Sequence, residues 1–242
     1  MSEIIRSIEK QILADLKKKI VLLAGPRQCG KTTLAKHLTK SMDYLNFDII
    51  EDRSSILKRE WNRNKNLIIF DELHKMPKWK SWLKGIYDKE GISPQILVTG
   101  SARLDAFKKT GDSLAGRHFY YRLHPLDLKE LISTGNKENP DVLLQRLIQV
   151  SGYPEPFLNA DPREYKRWRK GHLDLILKQD LIDYELVRDV QSIQILVDLL
   201  RHKVASGISV NALAIDLNKD PKTIQKWLNI LEDLFVIFKL TP

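Results

Sequence analysis

Gly25-Pro26-Arg27-Gln28-Cys29-Gly30-Lys31-Thr32 has the spacing G-x-x-x-x-G-K-S/T, and its flanks decide the fold. Ile20-Val21-Leu22-Leu23-Ala24 just before it is a short apolar strand. Thr33-Leu34-Ala35-Lys36-His37-Leu38 just after it is a helix with Leu34, Ala35 and Leu38 apolar. In a strand–loop–helix, backbone N–H groups turn inward around phosphate oxygens, and the helix N-terminus adds partial positive charge. The candidate binding set is Gly25, Pro26, Arg27, Gln28, Cys29, Gly30, Lys31, Thr32 and Thr33. Lys31 is placed to reach the β- and γ-phosphates of ATP, and Thr32 to hold Mg²⁺. Cys29, beside a helix N-terminus and Lys31, is expected to lean towards thiolate and react. The other reading of Cys29 is a thiol packed among apolar groups.

A phosphate loop needs a carboxylate for the metal and a group to orient water. Leu67-Ile68-Ile69-Phe70-Asp71-Glu72 is an apolar strand ending in two acids. Asp71 is the candidate metal ligand and Glu72 the candidate base. The run 95–98 ends in Thr99-Gly100-Ser101, where a hydroxyl can sense the γ-phosphate or simply cap the next turn. Ser101 is preferred to Thr99. A guanidinium that stabilises developing charge is sought in Arg117, then in Arg103 and Arg188; each also reads as an ordinary surface arginine.

Strands are expected over 20–24, 44–47, 67–70, 95–98 and 117–123, separated by segments of crossover length. The fold class is α/β, a P-loop parallel sheet with another strand between the two motif strands. The expected organisation is a core over 1–125, a helical lid-like segment over 126–190 and a module over 191–242. In that last module, helical periods precede and follow a turn at Asn218-Lys219-Asp220. Ser209 and Asp220 are set to cap helices, and Pro221 suits a first helical position. The apolar run 235–240 reads as a strand, which completes the order of a winged helix-turn-helix. A lone strand near Pro242 predicts a chain cut from a longer protein.

The 242 residues are 43% hydrophobic, enough for a real core, and carry 40 basic against 31 acidic residues, a net charge of +9. That balance points to an anionic partner such as DNA, or to a lysine-rich solvated surface. No apolar run approaches the roughly 20 residues of a membrane span, and a cytoplasmic protein is expected. A single cysteine excludes an internal disulfide.

Together these motifs resemble bacterial and archaeal AAA-type ATPases with a Gly-Pro-Arg-Gln-x-Gly-Lys-Thr-Thr loop. The matching segments are 25–33, Phe70-Asp71-Glu72-Leu73-His74-Lys75, Val98-Thr99-Gly100-Ser101-Ala102-Arg103, Ser113-Leu114-Ala115-Gly116-Arg117, Gly152-Tyr153-Pro154-Glu155-Pro156-Phe157 and Leu231-Glu232-Asp233-Leu234. The resemblance covers essentially the whole chain. It implies ATP with Mg²⁺, an AAA-type core, a winged helix and, after the winged helix, a restriction-endonuclease-like domain; this sequence departs there, stopping at Pro242. More distantly the chain is similar to archaeal ATPases related to replication initiators and signal-transduction ATPases. The expected function is ATP hydrolysis coupled to remodelling of DNA or protein, with DNA contacted through residues 209–240 and a homo-oligomer possible. The competing readings are a slow nucleotide switch and a small-molecule kinase, the latter disfavoured by the Asp71-Glu72 pair.

Overall fold

A computed structural model describes residues 4–100, 104, 114–133, 137–181, 189–204 and 206–240. The chain divides into two compact units, residues 1–162 and 163–242.

In the first unit the apolar runs form β1 (Ile20–Ala24), β2 (Met42–Asn46), β3 (Leu67–Asp71), β4 (Gln95–Gly100) and β5 (His118–Arg122). All pairings are parallel, in the order β2-β3-β4-β1-β5. The strand between the two motif strands β1 and β3 is β4, while β2 lies at an edge. Every residue of β1 and β3 is buried. The reason is alternation between two cores. Ile20, Leu22, Ile68, Phe70, Ile96 and Val98 face one cluster. Val21, Leu23, Leu67, Ile69 and Leu97 face the other.

Helices α1 (Glu9–Leu16), α2 (Lys31–His37), α3 (Ile50–Lys58) and α4 (Trp79–Glu90) flank or connect these strands. On α4, Trp79, Leu83 and Ile86 recur at helical spacing and are buried. Beyond β5, α5 (Leu128–Ser133), α6 (Pro140–Val150) and α7 (Pro154–Asn159) also belong to the first unit. Leu126, Leu131, Leu143 and Phe157 form their core, with Ile4 packed against it.

The second unit holds α8 (Pro162–Leu175), which runs on as a π-type turn over Ile176–Asp180, then α9 (Val190–Arg201), α10 (Val210–Asp216) and α11 (Pro221–Asp233). The expected caps are present. Ser209 accepts from the Ala212 N–H, Asp220 accepts from the Lys222 N–H, and Pro221 opens α11. The strand expected over 235–240 is not formed, and no strand occurs among the described residues of this unit. Instead α11 ends in a Schellman reversal, with Phe235 at φ 60°. The Phe235 N–H donates to Glu232 O at 3.0 Å and the Val236 N–H to Leu231 O at 2.9 Å. The tail then lies along its own helix, where Lys239 Nζ reaches Asn229 Oδ1 at 2.7 Å and Glu232 Oε2 at 2.8 Å. The wing expected of a winged helix is therefore absent from the described residues.

Candidate nucleotide site

The parallel register brings the C-terminal ends of β1, β3 and β4 together: Ala24 faces Gly100, and Asp71 faces Thr99. Ligands of open α/β sheets bind at these ends. The phosphate loop leaves β1 here and enters α2, whose N-cap Gly30 has φ 96°, a left-handed conformation that suits glycine. Lys31 is buried with the loop, and its Nζ donates to the carbonyls of Gly25 at 3.0 Å and Pro26 at 2.7 Å. Both acceptors are neutral carbonyls of the loop itself.

Asp71 is the hub across the loop. Its Oδ2 accepts from Thr32 Oγ1 at 2.9 Å and from Tyr44 OH at 2.7 Å. Its Oδ1 accepts from Thr99 Oγ1 at 2.5 Å and from the Glu72 N–H at 3.1 Å. Burial, and after it the Asp71 carboxylate, push the Tyr44 phenol far up, so its proton stays on the hydroxyl. A carboxylate and a hydroxyl in contact form an oxygen donor set of the kind a hard cation takes, and they fit Mg²⁺.

Glu72 follows in a left-handed conformation, φ 55°, which is uncommon for a side chain of this size. Its N–H is also held by Thr99 O at 2.9 Å. Its Oε2 makes no hydrogen bond, and His74 Nε2 lies at 3.5 Å and the Lys75 ammonium at 3.7 Å. Burial, as the largest cause, raises the Glu72 carboxyl above the ordinary glutamate value. Lys75, Lys31 and Arg27 oppose that rise, and Asp71 adds to it. Glu72 thus carries a buried carboxylate oxygen without a hydrogen bond, on a residue whose backbone N–H is fixed by Asp71 and Thr99.

Three candidates from the sequence, Ser101, Arg103 and Arg188, lie outside the described residues. Thr99 is not aimed at the space above the loop; its buried hydroxyl is spent on Asp71. Arg117 does not belong to the site of its own chain. It precedes β5, whose His118 pairs with Ile20, so it sits at the end of the sheet opposite the loop. There its guanidinium pairs with Asp88 at 2.7 Å.

Cys29 also reverses expectation. Its side chain is fully buried, its Sγ lies 3.5 Å from Leu123 O, and burial pushes the thiol up despite Lys31 and Arg6. In native protein a maleimide is expected to leave Cys29 unmodified with or without Mg-ATP, and to label it fully in denaturant. Rapid labelling of the folded chain, read by mass spectrometry, contradicts this packing.

Three residues near the site were not singled out from the sequence. Tyr44 was read only as a strand residue, yet it holds Asp71. Pro154 lies 3.7 Å from where a Gly30 side chain would begin. Arg6 donates to the loop carbonyl of Cys29 at 2.9 Å. The second lies in the segment 152–157, which entered only through the family resemblance. An arginine 23 residues before its partner carries no local signal.

Fold and site together define an α/β P-loop domain built on a parallel five-stranded sheet. Residues 17–132 match a family described as "AAA domain", and residues 142–242 match a domain of unknown function. An uncharacterized protein of Methanocaldococcus jannaschii is 27% identical over 97% of this chain and 58% of its own length. One of Mycobacterium tuberculosis is 27% identical over 92% of this chain and 50% of its own. The chain thus spans about half the length of the curated relatives it matches. Among solved structures it is similar to the Thermotoga maritima RuvB Holliday junction branch migration motor, at 22% identity and TM-score 0.44, covering 95% of this chain and 87% of that one. It is also similar to a signal transduction ATPase with a tetratricopeptide repeat sensor from Pyrococcus horikoshii, at 14% identity and TM-score 0.42, covering 95% and 39%. No helix among the described residues is long and apolar enough to cross a membrane.

Proposed function

We propose that this chain binds Mg-ATP at the loop 25–33 and hydrolyses it to ADP and phosphate, coupled to remodelling of DNA or of a protein. The observation that carries the reading is the 2.9 Å bond from Thr32 Oγ1 to Asp71 Oδ2, which joins two motifs 39 residues apart. Thr32 and Asp71 are the residues that hold Mg²⁺, and the ion, when bound, draws charge from the phosphate oxygens. Lys31 exchanges its two carbonyl partners for phosphate oxygens. Glu72 takes a proton from a water whose oxygen forms a bond to the γ-phosphorus. The bridging bond to ADP breaks, and its electron pair leaves with the ADP oxygen.

The test is steady-state release of phosphate from ATP with and without Mg²⁺, repeated with duplex and single-stranded DNA. Asp71→Ala is expected to abolish the Mg²⁺ dependence of ATP binding and to leave the weaker metal-free binding in EDTA unchanged. Binding by Asp71→Ala that still responds to Mg²⁺ as the wild type does removes Asp71 from the metal site.

The DNA part of the reading rests on the net charge of +9 and on Lys222, Gln225 and Lys226, which are exposed along α11. For the homo-oligomer part, Arg117, at the far end of its own sheet and paired with Asp88, reaches a bound phosphate only in a second copy; otherwise it is the ordinary surface arginine of the other reading. A cytoplasmic location goes with both. The slow-switch reading draws on Glu72, which lies within 3.7 Å of Lys75 and 3.5 Å of His74 rather than open to water. Turnover separates the two: a switch binds Mg-ATP and releases almost no phosphate.

A further inference from the structure

Arg6 is buried, 7% exposed, in a chain that otherwise keeps most of its arginines at the surface. Its three donor nitrogens all have partners. Nε donates to Glu130 Oε1 at 3.0 Å, Nη1 to Cys29 O at 2.9 Å, and Nη2 to His124 O at 2.6 Å. Glu130 is itself 5% exposed, and the same oxygen accepts the Ser7 N–H at 2.7 Å. One guanidinium therefore ties the segment before α1, the phosphate loop, the stretch after β5 and helix α5 together. A buried ion pair alone is weak evidence of stabilisation, because desolvation offsets the attraction. Its value here lies in what it orients.

We propose that Arg6 is a positioning residue that, with Glu130 as counter-ion, holds the phosphate loop in its binding conformation; this rests on the nucleotide-binding reading above. The peptide between Cys29 and Gly30 is planar and trans, so its C=O and N–H point in opposite directions. Arg6 draws the Cys29 carbonyl to the back of the loop, against the Leu123–His124 wall. That turns the Gly30 N–H to the opposite, phosphate side. Without Arg6 the peptide is free to flip, and a flip presents a carbonyl oxygen to an anion. The fork of the guanidinium is essential, because an ammonium cannot reach three divergent acceptors from one point.

The experiment measures Mg-ATP affinity of the full chain by calorimetry for wild type, Arg6→Gln and Arg6→Lys, with thermal midpoints recorded alongside. Ile86→Ala, which empties a buried site on α4 two residues from Asp88, at the end of the sheet opposite the loop, serves as a destabilised control. Both Arg6 variants are expected to bind Mg-ATP roughly tenfold or more weakly, the usual worth of a hydrogen bond to a charged group. Ile86→Ala is expected to lose thermal stability yet keep wild-type affinity. Wild-type affinity in Arg6→Lys overturns the proposal, as does an equal loss of affinity in Ile86→Ala, which marks a purely structural effect. Should Arg6→Gln fail to fold, Arg6→Lys and Glu130→Gln carry the test, the latter with a smaller expected loss. Wild-type protein that binds no Mg-ATP refutes the nucleotide reading itself, a result distinct from all of these.

Discussion

Glu72→Gln is expected to bind Mg-ATP as the wild type does and to turn over about 10²–10⁴ times more slowly, the usual worth of a positioned general base. The isosteric amide fills the same volume and keeps the backbone conformation. It cannot accept a proton from water. The loss belongs in kcat, with KM little changed, because Glu72 makes no contact that ground-state binding needs. A pH profile gives a second reading of the same group. Burial raises its carboxyl, so the protonated, inactive form persists to higher pH than for an ordinary glutamate. kcat/KM of the free protein is expected to fall on the acid side as pH drops through that raised value, and this limb should vanish in Glu72→Gln. Wild-type turnover in the amide variant refutes the assignment and favours the slow-switch reading only if wild-type turnover is itself negligible.

The legible parts of this chain were those with local causes. Buried parallel strands need unbroken apolar runs, so β1 and β3 were visible as such, and the acids at the end of β3 marked the carboxylate that meets Thr32. Helix caps depend on one or two residues, and Ser209, Asp220 and Pro221 sit where capping chemistry puts them. What failed depended on partners distant in sequence. The run at 235–240 has strand composition, but among the described residues of this unit no strand pairs with it. The Schellman turn that reverses it uses Phe235 where glycine is the usual signal. Arg117 was read from its glycine turn, and only the register with β1 reveals which end of the sheet it occupies. Cys29 was judged by its charged sequence neighbours, whereas its burial against Leu123 sets its chemistry. The Arg6 clasp joins residues 124 positions apart and had no signature at all.

Gly25→Ala is expected to lose Mg-ATP binding by about a hundredfold or more and to lower stability by about 1–3 kcal/mol, the range for overpacking a tight site. A Cβ at Gly25 falls 2.2 Å from the Leu123 carbonyl oxygen and 3.2 Å from Cys29 Sγ. The oxygen cannot withdraw cheaply. The Leu123 N–H is bonded to Ala24 O at 2.8 Å, and this bond holds the exit of β5 against β1. Relief must come from the loop, which moves off the wall and takes with it the carbonyls of Gly25 and Pro26 that seat Lys31. Binding therefore suffers more than folding does. Gly85→Ala supplies the contrast. It lies inside α4 with only an Arg59 nitrogen at 4.0 Å, and the helix gains up to about 1 kcal/mol from alanine there. Its affinity for Mg-ATP should stay at the wild-type value. Calorimetric titration of both variants, with thermal melts, separates the outcomes. A Gly25→Ala chain that binds Mg-ATP at full strength means that the close approach to Leu123 is not what shapes the loop.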